Sequence, residues 1–262
     1  MTKPYIGITG PVMEQEVRSL VQEFERAGYS LASPHIPMIG YLVSYKTLNG
    51  QPTENRRYPK IKDLPKLLEA AKGKVLTMVH YNTKEQETLA SQVGQILTLP
   101  YTSSQCRALQ LNVVWPLVNQ TKLIKDIFPE MKIVFQASHK AMENKTLSQI
   151  ISGIKAYGDS ITYVLIDPSG GRGIEFDLET SVQLYQELRE KCPDLVIGFA
   201  GGFTGENVES RLTDLILMTQ SEEFCIDAEG GLRDKLTPAY GDDLLNLDKA
   251  KAYLQNAAKV LK

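Results

Sequence analysis

The run LVIGFAGGFTGENV at residues 195–208 shows how this chain folds. Its first six residues are mostly apolar and rich in β-branched and aromatic side chains, as is typical of a buried parallel strand. Gly201 and Gly202 then favour a sharp turn, because glycine adopts positive φ without strain. Thr204 is the predicted N-cap of the helix that follows. The run therefore predicts one strand–turn–helix unit.

The same unit recurs from one end of the chain to the other. In the first predicted helix, Val17, Leu20, Val21 and Phe24 form an apolar stripe at helical spacing, and Gly28 follows where a left-handed residue ends a helix. Such alternation predicts a parallel sheet covered by helices. Eight strands are predicted, at residues 5–9, 37–45, 75–81, 108–113, 132–136, 161–167, 195–200 and 224–228.

The number of units decides the fold class. Eight units in 262 residues favour an α/β protein with a closed (β/α)8 barrel, a TIM barrel, in one domain over residues 1–262. A doubly wound open sheet is the alternative, since it also alternates strands and helices. Two polar, turn-rich stretches interrupt the rhythm, at residues 46–63 and 234–247. Both follow strands, so they are predicted either to form walls of an active site or to be tolerated surface insertions.

Composition limits the partners of the chain. Acidic and basic side chains almost cancel, leaving a formal net charge of −2, so no broad cationic face is expected for nucleic acid or an anionic membrane. Cys106, Cys192 and Cys225 fit neither a metal motif nor a disulfide framework, and no apolar run has the length of a signal peptide or a membrane helix. We therefore expect a cytoplasmic protein without a metal or another cofactor, and leave open whether it forms a homodimer.

Glycine pairs follow each of the last three predicted strands. Their backbone N–H groups can approach an anion closely, and in barrels the loops after strands seven and eight commonly hold a phosphate. The alternative is that each pair only makes a tight turn. Because three pairs occur at the same end of the barrel, we predict a phosphate cradle formed by Gly170, Gly171, Arg172, Gly173, Ala200, Gly201, Gly202, Glu229, Gly230 and Gly231.

In chain order, these segments resemble motifs of the phosphoribosylanthranilate isomerase family. The end of the family's sixth strand, L-L-D with G-G-T-G and F-D after it, is similar to LID at residues 165–167, GGRG at 170–173 and FD at 176–177. The family pattern A-G-G-L-x-P-x-N-V is similar to AGGFTGENV at 200–208, and D-V-S-S-G-V-E to DAEGG at 227–231. The resemblance spans most of the chain and is strongest from residue 161 to residue 233.

Earlier parts of the chain match less closely. VHYN at residues 79–82 is similar to the family's V-F-x-N, LQLN at 109–112 to V-Q-L-H, and NRRY at 55–58 to S-P-R-Y. The resemblance implies that Arg57 faces a substrate carboxylate and that Asn112 stands in the place of a substrate-site histidine. It also implies an Amadori rearrangement of a phosphorylated sugar-amine conjugate.

The resemblance fails at the catalytic base. It implies that Asp167 is the acid that protonates the ribose ring oxygen. The family's catalytic cysteine lies in the motif K-I-C-G-I-T, which corresponds to PYIGIT at residues 4–9. Ile6 takes the position of that cysteine. An isoleucine cannot move a proton. His80, at the end of the third predicted strand, is the candidate substitute base, with a structural histidine as the alternative. Arg233 is a further candidate for binding the ligand.

Two functions stay open on this evidence. One is an enzyme with isomerase, epimerase or lyase chemistry on a phosphorylated sugar or sugar-amine conjugate. Its fold would be related to that of tryptophan-biosynthesis enzymes. The other is a non-catalytic relative that binds a phosphorylated metabolite as a sensor or regulatory module. In both, the expected partner is a phosphorylated small molecule.

Overall fold

The structure is a computed structural model that describes residues 2–168 and 178–261. Its first eight strands form the barrel and the last two form a small hairpin. The strands are β1 (Tyr5–Thr9), β2 (Ile36–Ser44), β3 (Leu76–Asn82), β4 (Ala108–Leu111), β5 (Lys132–Ser138), β6 (Tyr163–Asp167), β7 (Val196–Ala200), β8 (Cys225–Ala228), β9 (Arg233–Lys235) and β10 (Asp243–Leu245).

Helices follow the barrel strands and cover them on the outside. They are α1 (Glu14–Arg26), α2 (Tyr45–Leu48), α3 (Leu64–Ala70), α4 (Leu89–Leu97), α5 (Thr102–Gln105), α6 (Val118–Ile127), α7 (His139–Met142), α8 (Leu147–Lys155), α9 (Leu178–Lys191), α10 (Val208–Thr219) and α11 (Leu247–Ala257). Among the described residues, none of these helices is both long and apolar enough to cross a lipid bilayer.

The eight parallel strands close into a barrel in chain order, and β1 pairs with β8. This confirms the predicted (β/α)8 barrel and rules out the open sheet, which has two free edges. All eight strands occur within two residues of their predicted ends. Their positions could be predicted because strands buried on both faces are short continuous apolar runs.

Side chains of each strand alternate between two apolar layers. Tyr5, Met38 and Tyr163 belong to the layer inside the barrel, whereas Ile6 and Ile8 pack with helix residues in the layer outside it. Ile6, the residue that the resemblance sets in place of a catalytic cysteine, therefore faces the helices. The inner positions of β1 are those of Tyr5, Gly7 and Thr9, because successive side chains point to opposite faces of a strand.

The ends of helices were predicted less accurately than those of the strands. The first helix is as predicted, with its apolar stripe buried and Gly28 at a φ of +89° just beyond the end of α1. The N-cap prediction at Thr204 is wrong, since α10 begins at Val208 with Asn207 before it. The Thr204 hydroxyl instead accepts hydrogen bonds from the amides of Glu206 and Asn207, which forms a turn ahead of the helix.

The two irregular stretches contact each other above the barrel. In the second stretch, β10 pairs antiparallel with β9, which begins one residue before the stretch, at Arg233. The amide of Arg56, in the loop after β2, donates to the carbonyl of Gly241 at 2.8 Å, and the Arg56 side chain pairs with Asp242 at 2.7 Å. The two loops thus support one another over the same end of the barrel.

Candidate functional site

A cavity of about 680 Å³ opens at the carboxyl ends of the barrel strands. Barrel enzymes form their active sites at this end, where the loops that follow the strands surround a rigid frame. The loops after β2 and β8 both contribute to the wall, through Asn55, Arg57 and Tyr240. This is the position predicted for the two irregular stretches if they were walls of a site.

Backbone amides line the side of the cavity next to β7 and β8. Ala200, Gly201, Gly202 and Gly230 border the cavity, and Gly201 and Gly202 have φ values of +107° and +67°. The amides of Gly201, Gly202 and Gly230 make no hydrogen bond to another part of the described chain. Backbone N–H groups that are not used within the described chain can donate hydrogen bonds to an anion.

Close packing holds these two loops together. A Cβ added at Gly231 would lie 2.2 Å from the carbonyl oxygen of Phe203, so only glycine allows this approach. The side chains of Asn207 and Arg211 donate to the carbonyls of Gly202 and Gly201, at 2.8 and 3.1 Å. These bonds draw the carbonyls toward α10.

Four residues of the predicted phosphate cradle, Gly170, Gly171, Arg172 and Gly173, lie outside the described residues. The structure therefore describes the predicted cradle only at the loops after β7 and β8. Their phosphate-binding role stays a prediction, as does that of the other predicted site residues.

Two buried carboxyl groups lie at the carboxyl ends of β6 and β8. Asp167, the last residue of β6, accepts a hydrogen bond of 2.6 Å from the amide of Gln136 on β5. Asp227, on β8, accepts from the Thr9 hydroxyl, with 3.2 Å to each carboxylate oxygen. Both carboxyl groups line the cavity. Sequence reasoning singled out Asp167 and missed Asp227, which it treated only as part of a strand-eight motif.

The environment of Asp227 favours its protonated form. Burial raises the pKa of Asp227 well above the ordinary value, the nearby charge of Glu229 raises it further, and the hydrogen bond from Thr9 opposes the rise. A carboxyl group of raised pKa can give and take protons at neutral pH. Asp227 is therefore a candidate acid–base group of this cavity.

His80 lies inside the barrel at the floor of the cavity. Its side chain is buried, and within the described chain its Nε2 has no hydrogen-bond partner. A Cβ added at Gly40 would lie 2.6 Å from this nitrogen and 2.4 Å from Thr9 Oγ1, so the absence of a side chain at Gly40 makes room for both groups. Burial lowers the pKa of His80 to about 3, so the ring is neutral at physiological pH.

Neutral amide side chains continue this side of the cavity. Gln110, whose Cα is paired in register with that of His80, donates to Asn112 Oδ1 at 2.8 Å. Its own Oε1 is buried and accepts no hydrogen bond from the described residues. Both Gln110 and Asn112 border the cavity. Asn112 was predicted at the ligand, and Gln110 was not.

Arg57 is held in an ion network between the loops after β2 and β8. Its guanidinium donates to Glu229 Oε1 and Asp243 Oδ2, both at 2.6 Å, and lies 4.6 Å from the centre of the Tyr240 ring. Burial alone would lower the pKa of Arg57, but these carboxylates raise it. Arg57 borders the cavity as predicted for a substrate-binding residue, with two carboxylates of the chain already bound to it.

Arg233 completes the network from the side of β9. Its Nε donates to Asp243 Oδ1 at 2.5 Å and its Nη1 to the carbonyl of Gly10 at 3.2 Å. Two arginines therefore face Glu229 and Asp243, and the four charges sum to zero. Glu229, predicted from the sequence as part of the phosphate cradle, forms its described ion pair with Arg57.

Comparisons with known proteins report on the fold. No protein-family model and no curated protein matches the sequence. Among solved structures, phosphoribosyl anthranilate isomerase from Thermotoga maritima is 16% identical with a TM-score of 0.61, over 98% of this chain and 99% of that one. Tryptophan synthase subunit alpha from Legionella pneumophila is 9% identical with a TM-score of 0.60, over 98% of this chain and 92% of that one.

A further similar structure is of phosphoribosyl anthranilate isomerase in complex with reduced 1-(o-carboxyphenylamino)-1-deoxyribulose 5-phosphate. It is 15% identical, with a TM-score of 0.59, and the match covers 98% of this chain and 99% of that one. These likenesses confirm the predicted resemblance to phosphoribosylanthranilate isomerases at the level of the fold.

Proposed function

We propose that this cavity is the active site of an enzyme that performs acid–base chemistry on a phosphorylated sugar or sugar-amine conjugate. The reaction is of the isomerase, epimerase or lyase type. One observation supports it above all: the amides of Gly201, Gly202 and Gly230, which bond to no other part of the described chain, border the same cavity as the buried carboxyl groups of Asp167 and Asp227. A phosphate held by the amides brings the attached sugar to the carboxyl groups.

The phosphate end of the site is made of backbone. Amide N–H groups of the loops after β7 and β8 donate to the phosphate oxygens, and Gly170, Gly171, Arg172 and Gly173 are assigned to the same cradle from the sequence. Such a site takes any phosphomonoester of suitable size. The binding energy of the phosphate then holds the reacting carbons in place.

The reacting end divides the proton transfers between two carboxyl groups. Asp167 acts as the acid that protonates the sugar oxygen, the role that the family resemblance implies. Asp227 in its ionised form takes a proton from carbon, and its raised pKa lets the protonated form hold that proton until it is returned. His80, whose pKa burial lowers to about 3, is the weaker base and contributes a neutral hydrogen-bonding group.

A non-catalytic phosphometabolite sensor is the second candidate. It is favoured by Ile6, which packs in the helix-facing layer at the position where the resemblance would require a catalytic cysteine. A sensor keeps the phosphate cradle and needs no proton transfer. In either case we assign the protein to the cytoplasm, where thiols such as those of Cys106, Cys192 and Cys225, which form no disulfide in this structure, stay reduced.

The experiment compares binding with turnover. Calorimetry with ribose 5-phosphate measures binding, and NMR in D2O follows exchange of carbon-bound protons across a panel of sugar phosphates and their amine conjugates. If the protein is an enzyme, Asp167→Asn should lower the turnover rate at least about a hundredfold, while the dissociation constant for ribose 5-phosphate changes little. Binding without exchange on any compound supports the sensor, and no binding of any phosphoester contradicts both candidates.

Activity as a phosphoribosylanthranilate isomerase is tested separately. The gene is expressed in a bacterial strain that lacks that enzyme and grows only with added tryptophan. Since no cysteine precedes Cys106 in the chain, we expect weak rescue or none. Full rescue would mean that Asp227 or His80 replaces the missing base in that same reaction.

A further inference from the structure

We propose that the ligand's second end, opposite its phosphate, is an uncharged hydrogen-bonding group bound by Gln110 and His80, and not a carboxylate bound by Arg57. This inference rests on the proposed function, because it assumes a phosphate at the loops after β7 and β8. It concerns which phosphorylated compound the site accepts.

The first argument is the state of Arg57. Its three hydrogen-bonding nitrogens already face carboxylates, with Nε and Nη2 on Asp243 and Nη1 on Glu229. A ligand carboxylate must either displace one of them or approach two buried negative charges. Displacement leaves a buried carboxylate without its partner, which is costly. The chain's own acids thus already bind the arginine that the resemblance assigns to a substrate carboxylate.

The second argument concerns two buried hydrogen-bonding atoms at the edge of the cavity. Gln110 Oε1 and His80 Nε2 are buried, have no partner among the described residues, and belong to side chains that line the cavity. Buried polar atoms in a folded protein are normally satisfied. A ligand group that donates to the Gln110 oxygen and hydrogen-bonds with the His80 nitrogen satisfies both.

The third argument is the geometry of the barrel. With eight strands in closed order, β3 and β4 stand across the mouth from β7 and β8. A ligand whose phosphate lies at Gly201 and Gly230 therefore extends over Asp167 and Asp227 toward His80 and Gln110. Lys84 and Lys140 also border the cavity, but both are exposed at its rim. At the buried end, neither His80, which is neutral, nor Gln110 supplies a positive charge for a carboxylate. An amide, a hydroxyl or a neutral ring nitrogen fits this end.

Two probes that differ in one group test the proposal. One is reduced 1-(o-carboxyphenylamino)-1-deoxyribulose 5-phosphate, and the other is the same compound with a carboxamide in place of the carboxylate. Calorimetry measures both dissociation constants, with inorganic phosphate as competitor. We expect the carboxamide to bind about tenfold more tightly or better, because it can donate to Gln110 and carries no charge.

Variants of Gln110 locate the effect. Gln110→Leu, or the unbranched Gln110→Met if the first variant does not fold, should remove the preference for the carboxamide. Binding of inorganic phosphate should be unchanged in both variants, because the phosphate end is across the barrel.

The outcomes separate this proposal from the proposed function. A wild-type protein that binds the carboxylate as tightly as the carboxamide, or binds neither compound better than inorganic phosphate, overturns the proposal and leaves the phosphate site intact. A preference that survives in the Gln110 variants also overturns it. If phosphate and both compounds fail to bind, the proposed function itself is wrong.

Discussion

Thr9 and Asp227 join the first and last strands of the barrel at its open end. The Thr9 hydroxyl donates to the carboxylate of Asp227 and lies 3.2 Å from each of its oxygens. Together with the backbone amide of Ala228 this makes two neutral donors, which do not compensate a buried negative charge. The arrangement therefore keeps a proton available at the floor of the cavity at some cost in stability.

Asp227→Asn should increase stability at pH 7. The pKa of Asp227 is higher in the folded protein than its unfolded value of 3.8. Above pH 3.8 the unfolded chain therefore releases this proton while the folded protein keeps it, so the free energy of unfolding falls as pH rises until Asp227 ionises in the folded protein as well. Asparagine keeps an acceptor for Thr9 without the charge. We expect the free energy of unfolding in urea to rise by about 1–3 kcal/mol at pH 7 and to be unchanged below pH 3.8.

Asp234→Asn is the matched control for this change. Asp234 is an exposed carboxyl group whose pKa is lowered by its hydrogen bond from Lys249, so its ionised form is favoured in the folded state. Its replacement should not increase stability at pH 7. A gain in stability that is equal in both variants would mean that net charge, and not the burial of Asp227, explains the result.

Acid should destabilise the protein through His80. The pKa of His80 is about 3 in the folded protein and 6.5 when unfolded, so between these values the unfolded chain binds more protons and stability falls as pH falls. From pH 7 to pH 4 this group alone should lower the free energy of unfolding by about 2–3 kcal/mol. His80→Gln lacks this contribution and should show a correspondingly shallower pH dependence. Parallel curves for the two proteins would contradict the burial of a neutral ring.

The barrel could be predicted from sequence because its strands are local patterns. Apolar runs of four to nine residues mark β1 to β8, and the glycine pairs after β7 and β8 mark where the backbone turns toward the cavity. Asp167 and His80 were identified in the same way, as polar residues at strand ends. Each of these signals lies within a few residues of the feature it predicts.

Contacts between distant loops could not be predicted. Arg57 pairs with Glu229 and Asp243 across separations of 172 and 186 residues, and no local pattern encodes which acid an arginine will meet. Ile6 shows a second limit of prediction from sequence. A motif match does not determine which face of a strand a side chain points to, and a shift of one residue in the alignment moves the side chain to the opposite face. Asp227 and Gln110 were missed because a polar residue inside an apolar strand gives no sign of its environment.

Substitution of Gly231 should separate the loops of the proposed phosphate site. In Gly231→Ala the new Cβ would meet the Phe203 carbonyl at 2.2 Å, so the backbone after β7 or β8 must shift. We expect binding of ribose 5-phosphate, measured by calorimetry, to weaken by about tenfold or more, since a displacement of the amides removes their hydrogen bonds.

Gly94→Ala is the control for adding a methyl group at a glycine. Gly94 lies within α4, and a Cβ there meets nothing within 4 Å. Alanine at this position should raise the free energy of unfolding by about 0.5–1 kcal/mol and leave ligand binding unchanged. If Gly231→Ala binds ribose 5-phosphate as well as Gly94→Ala does, these loops do not form the phosphate site.

Two adjacent arginines offer a test of the ion network. Arg57 is buried between Glu229 and Asp243, whereas the side chain of Arg56 pairs with Asp242 at the surface and is 57% exposed. Arg57→Met should lower the free energy of unfolding by about 3–5 kcal/mol, because it leaves buried carboxylates with fewer partners. Arg56→Met should lower it by less than about 1 kcal/mol, since water solvates the remaining charge. Equal losses in urea denaturation would show that the loops after β2 and β8 are not held together by the buried pair.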